Sequence, residues 1–174
     1  MRDIGVEQFR SLYRGITNSF DHLEMRDSYG TAVEIPQIAR WKAGEPDDFS
    51  WLDDWCDLMR RFRDEGKRCR RAKVVSLPLS EYQRWNYSVL APIIASGEQI
   101  RWADRRAVSC LALSPSDFYL LDDKTVMFLH FTGDGQANGY TVTEDSDVVE
   151  LCRTAFQAVW NLSTPHDEFR PESR

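Results

Sequence analysis

Five basic side chains within seven residues, Lys67, Arg68, Arg70, Arg71 and Lys73, form the densest cluster of potential chemistry in the sequence. Cations at that density suit the grip of a phosphate or of an acidic protein surface. They follow an acidic stretch: Glu45 to Asp57 holds six acids and no base, whereas Arg60 to Lys73 holds eight bases against Asp64 and Glu65. Acids near the start and bases near the end of one helix also complement its macrodipole. That structural reading accounts for the layout first, and binding is its alternative. If the basic segment is a strand, Arg68 and Arg70 share a face with Ala72, while Cys69, Arg71 and Lys73 point the other way. The charge is then divided between two surfaces.

The three histidines, His22, His130 and His166, are too dispersed to suggest a metal site, and none shows the i, i+4 spacing of paired zinc ligands. No cofactor is indicated. His130, between Leu129 and Phe131, reads as a hydrogen-bonded strand residue and joins the basic segment as a binding candidate. His166-Asp167-Glu168 would form a base with orienting carboxylates only if the C-terminal tail folded back on a cleft. The sequence contains no GxSxG elbow, no glycine-rich phosphate loop before a helix and no HExxH. Gly133-Asp134-Gly135 lies between two strand-like runs and reads as a turn. The carboxylate pairs Asp47-Asp48, Asp53-Asp54 and Asp122-Asp123 carry no spacing that assigns an acid and a base, so no residue is assigned a catalytic role.

The elements that must position these groups belong to one domain. The chain has 174 residues, 42% hydrophobic and 12% aromatic, enough to bury about 70% of its unfolded surface in a single core. A net charge of −6 disfavours a whole-surface match to nucleic acid or anionic lipid. Cys56, Cys69, Cys110 and Cys152 form no CxxC pair, and each is expected to be a reduced, buried thiol. The N-terminus lacks a signal-like apolar stretch, and no run approaches the roughly 20 apolar residues of a membrane helix. The expectation is a cytoplasmic protein without membrane contact.

Helical spacing predicts a short helix over Val6 to Tyr13 and a longer one from Ser50, capped by Ser50 with Asp53 and stopped at Gly66. Another opens on the capping box of Ser80 with Gln83 and ends near Pro92. A last helix spans about Ser146 to Leu162. Strands are expected over Ser19 to Arg26, Lys67 to Ser76 and Gln99 to Ala103, then as a hairpin, Asp117 to Leu121 and Thr125 to Phe131, with Tyr140 to Thr143 as a third antiparallel strand. The fold class is α/β: a mixed sheet with an antiparallel C-terminal hairpin region and helices packed on it. Residues 1–164 form the domain, and 165–174 a loose polar tail. Trp41 and Trp51 fall off the apolar stripes and suit core packing or an interface.

Five ordered stretches resemble an uncharacterised actinobacterial family of domain-of-unknown-function proteins, often encoded beside helix-turn-helix regulators. They are Arg26 to Gly30, Arg40 to Pro46, Val74 to Tyr82, Asp117 to Asp123, and Pro165 to Glu168. That resemblance implies genomic context and no activity. A second, weaker resemblance is to one half of the phospholipase D-like fold, whose His-x-Lys-x-x-x-x-Asp signature enters the hairpin. With its acid on Asp122, Asp117 replaces the lysine and Pro115 the histidine. The groups that would attack and steady a phosphate are absent. The expected function is a non-catalytic regulatory or protein-interaction domain, with a protein partner such as a helix-turn-helix regulator. The alternatives are a phosphodiester- or nucleotide-acting enzyme with an atypical site, or nucleic-acid binding through residues 60–73.

Overall fold

The computed structural model of the chain describes residues 1–171. It begins with β1 (Arg2–Ile4), α1 (Val6–Arg14), β2 (Ser19–Glu24), α2 (Glu34–Lys42), α3 (Asp53–Asp64) and β3 (Arg68–Val75). There follow α4 (Glu81–Val89), α5 (Ala91–Ser96), β4 (Gln99–Asp104), β5 (Asp117–Leu121), β6 (Thr125–Phe131), β7 (Ala137–Thr143), α6 (Ser146–Leu162) and β8 (Thr164–Pro165). The strands make one eight-stranded sheet in the order β1-β7-β6-β5-β2-β3-β4-β8. β2, β3 and β4 are parallel, and β5, β6 and β7 extend the sheet from β2 in antiparallel steps. The expected mixed α/β architecture is the observed one.

Strand alternation sorts the side chains into two cores. Phe20, Cys69, Tyr119 and Met127 meet Phe9 and Tyr13 of α1 and Met59 and Phe62 of α3. On the opposite face Leu23, Ala72, Val74, Phe118, Leu120 and Val126 meet Val149, Cys152, Phe156 and Val159 of α6. Ile100 and Trp102 of β4 extend the first face under Leu90 and Ile93. Helices therefore cover both faces, as strands β2 and β5, buried along their whole length, require.

The Ser80 cap forms as expected, its hydroxyl accepting the Gln83 amide at 3.1 Å. The helix stops at Val89, and a new one starts with Pro92 in its first turn, where the missing amide proton does no harm. The Ser50 capping box does not form. Residues Ser50–Leu52 make a 3-10 turn, α3 begins at Asp53, and the Ser50 amide and hydroxyl both donate to the Asp48 carboxylate. An acid two residues upstream offers a closer acceptor than the expected box. At the hairpin tip, where Asp122, Asp123 and Lys124 join the strands, Asp122 and Asp123 adopt φ of 51° and 54° as the central pair of the turn closed by the Lys124 amide on the Leu121 carbonyl.

Two further expectations require correction. Cys110 is exposed in the loop after β4, while the other three thiols are buried and all four are free. The tail is docked: Thr164 and Pro165 pair with β4, and Phe169 is buried with its ring stacked on Trp102 at 5.2 Å. An aromatic three residues beyond the polar His166 was the anchor. Residues 172–174 of the expected tail lie outside the described residues.

Candidate functional site

The basic cluster does not converge on one surface. The ammonium of Lys67 lies over the Phe62 ring and pairs with Glu65 at 2.6 Å. As the alternation requires, Arg68 and Arg70 point toward α6. There Arg70 forks onto Asp21 with two contacts of 2.7 Å and lies over Phe156 and Trp160, while Arg68 reaches Asp21 at 3.4 Å. Arg71 and Lys73 point to the opposite face and sit in an internal ion network. His130 is apart from both, its Nε2 2.9 Å from the Thr141 hydroxyl. His166 stacks on Tyr87 and accepts the Trp102 indole N–H at 3.1 Å.

The network that holds Arg71 and Lys73 underlies a hollow, with Arg71 and Glu24 in its lining. It is a cleft of about 320 Å³ walled by β2, β5, the end of β6, the 29–34 loop, and aromatics from α3 and α4. Arg71 donates to Glu98 at 2.7 and 3.1 Å and to Glu24 at 3.0 Å. Lys73 pairs with the other Glu24 oxygen. The Trp55 indole caps Glu98 at 2.8 Å. Parallel pairing sets this up, since His22 lies opposite Arg71 and Glu24 opposite Lys73 in register.

Above that neutralised network stand two tyrosine–carboxylate pairs. Tyr29 donates to Asp117 at 2.5 Å, and the Met25 amide donates to its other oxygen at 2.9 Å. Tyr82 donates to Glu34 at 2.8 Å, and Thr31 donates to the second Glu34 oxygen at 2.6 Å. The two phenol rings lie 5.6 Å apart. Trp51 stacks on Trp85 beside them and anchors its indole on Asp47. A smaller hollow of about 180 Å³ shares Trp51, Trp55 and Arg71 as walls and ends at Asn86, whose side-chain oxygen accepts no hydrogen bond.

Burial sets the protonation states. It holds the Asp117 carboxyl up at about 6, with Tyr29 acting in the opposite direction, and it raises Glu34 likewise. Burial would also raise Glu24, but Lys73 and Arg71 outweigh it and hold Glu24 well below the usual carboxylate range. His22 is pushed down to about 3 by burial, against the pull of Glu24, so its imidazole is neutral. That ring stacks on Tyr119 at 3.8 Å, and neither of its nitrogens has a hydrogen-bond partner among the described residues. The nearest carboxylate oxygen, on Glu24, is 3.5 Å from Nδ1. Among the described residues no group of metal ligands converges.

The cleft thus combines aromatic walls, the buried Asp117 and half-buried Glu34 carboxylates and a neutral histidine. Sequence reasoning named His22 only as one of three scattered histidines and missed Glu24, Glu34, Glu98, Tyr29, Tyr82 and Trp55 as one constellation. A signal existed: acids at 21 and 24 and bases at 70 and 73 share a spacing of three, which parallel strands in this register place opposite each other.

The sequence model of a family described as a domain of unknown function (DUF6879) matches residues 7–171. No curated protein matches the sequence. Among solved structures, the fold is similar to that of Nuc, a phospholipase D family member from Salmonella typhimurium, with a TM-score of 0.55 at 12% identity over 89% of this chain and 86% of that one. It is also similar to NucT from Helicobacter pylori, with a TM-score of 0.52 at 10% identity over 92% and 89% of the respective chains. The fold is therefore phospholipase D-like.

Proposed function

We propose that this chain, which belongs to the family described as a domain of unknown function (DUF6879), is a non-catalytic regulatory or interaction domain built on a phospholipase D-like scaffold. One observation carries the reading. Asp117, at the position where the resemblance places the lysine, opens β5 inside the cleft, accepts hydrogen bonds from Tyr29 and Met25, and has no cationic partner among the described residues. An acid there repels a phosphate where a lysine would attract it. Pro115, at the histidine's position, has no nucleophilic atom.

The retained acid, Asp122, supports the same reading through a structural role. Its carboxylate accepts the amides of Thr17, Asn18 and Ser19 at 2.6 to 2.9 Å. Although burial acts to raise it, those amides hold its carboxyl below the usual range. The rival readings draw on the basic segment, but Arg68, Arg70, Arg71 and Lys73 are engaged with Asp21, Glu24 and Glu98. Nucleic-acid binding is further disfavoured by the net charge of −6.

The regulatory role is exerted through a cytoplasmic protein partner, with a helix-turn-helix transcription regulator as the first choice. Tagged chain recovered from its native host should carry such a regulator in stoichiometric amount. Recovery without any stable protein partner would contradict this part of the proposal. The non-catalytic part predicts no turnover of phosphodiesters, and measurable turnover would refute it.

A further inference from the structure

We infer that the cleft beside Asp117 binds a small organic ammonium ion, its charged head between Asp117 and Glu34 and its apolar body against Trp51, Trp55 and Tyr82. The inference rests on the non-catalytic reading and adds a ligand class to it. Charge balance singles out the two carboxylates. Arg71 and Lys73 are matched by Glu24 and Glu98. Asp117 and Glu34 then remain as uncompensated acids among the described residues, which a phosphate would worsen and a cation would relieve.

Hydrogen-bonding capacity leans the same way. Tyr29, Tyr82 and Thr31 already donate to these carboxylates, and Trp51 and Trp55 donate to Asp47 and Glu98. Each carboxylate keeps lone pairs open, so the head of a ligand finds mostly acceptors. His22 provides an independent pointer. It is 5% exposed, lines the cleft, and neither ring nitrogen has a hydrogen-bond partner among the described residues. A buried polar side chain in that state loses free energy unless something entering the cleft completes it. Aromatic faces on the walls add cation–π attraction. A hollow of about 320 Å³ has the size of a small-molecule site.

Phenethylammonium, 2-phenylethanol and phenylacetate share a ring and a chain and differ in terminal charge. Each is titrated into the full chain near neutral pH, alongside inorganic phosphate and tryptamine, by calorimetry. The amines should bind saturably, the alcohol at least about tenfold more weakly, and phenylacetate and phosphate not at all. Asp117→Asn and Glu34→Gln should each weaken phenethylammonium about tenfold, the range of a hydrogen bond to a charged group, while moving the alcohol less than about twofold. Circular dichroism reports whether each variant is folded, and the comparison among ligands needs only the unaltered chain. Absence of saturable binding by both amines, equal affinity for amine and alcohol, or tighter binding of an anion would overturn the inference. Phosphodiester turnover by the same preparation would instead overturn the non-catalytic reading, so the two failures are separable.

Discussion

Asp117 shows how one buried side chain ties stability to pH in this molecule. Its carboxyl is raised by burial to about 6 from 3.8, so the folded state retains a proton that the unfolded chain releases at lower pH. The sign follows from linkage: its contribution is most favourable below about pH 4 and is lost as pH rises through about 6. The loss is on the order of 3 kcal/mol. Asp117→Asn removes the titration and retains an oxygen for the Met25 amide. Relative to the unaltered chain, the variant should therefore gain stability between about pH 4 and pH 7, read from urea denaturation at both ends. A pH-independent difference between the two proteins would contradict the assignment. Neutral His22 acts on the acid side, since its pKa is lowered by burial to about 3 and its stability contribution is lost as pH falls below about 6.5. It is common to both proteins and cancels from the difference.

At the scale of elements, the hairpin tip locks the loop between α1 and β2 through Asp122. Asp122→Ala strips the acceptor from three amides, an effect comparable to losing a strong helix cap, about 2 kcal/mol. Thermal unfolding of that variant should show the loss, and an unchanged midpoint would dismiss the clamp. Elements such as this hairpin were legible in sequence because apolar runs joined by the short polar turn Asp122-Asp123-Lys124 leave few alternatives. The Ser80 cap and the facing of Arg68 and Arg70 against Arg71 and Lys73 were legible for the same local reason. Glu34–Lys42 was not, because α2 buries none of its residues fully and so leaves no apolar stripe to read. The cleft escaped because its parts lie at 22–34, 51–55, 71, 82, 117–119 and 129–131, and only the fold brings them together.

At the scale of the whole molecule, the sheet carries opposite charges inward on both faces, Asp21 with Arg70 on one and Glu24 with Lys73 on the other. Most of the basic cluster thus serves as internal counter-charge, and breaking such a pair by removing one partner typically costs 3–5 kcal/mol. The docked C-terminus closes the far edge, where Phe169 and Trp102 stack. Phe169→Ala should cost about 3 kcal/mol in chemical denaturation without changing amine binding, because Phe169 does not line the cleft. A loss of amine binding in a folded Phe169→Ala protein would show the two regions to be coupled. Scaffold and cleft together define a domain with a phospholipase D-like fold whose cleft presents Asp117 without a cationic partner among the described residues. The most direct measurement is hydrolysis of bis(p-nitrophenyl) phosphate and of single- and double-stranded DNA at high protein concentration, with the unaltered chain and Asp117→Asn side by side. The predicted result is a rate equal to buffer for both proteins, and the contradicting one is a rate above buffer that falls in Asp117→Asn.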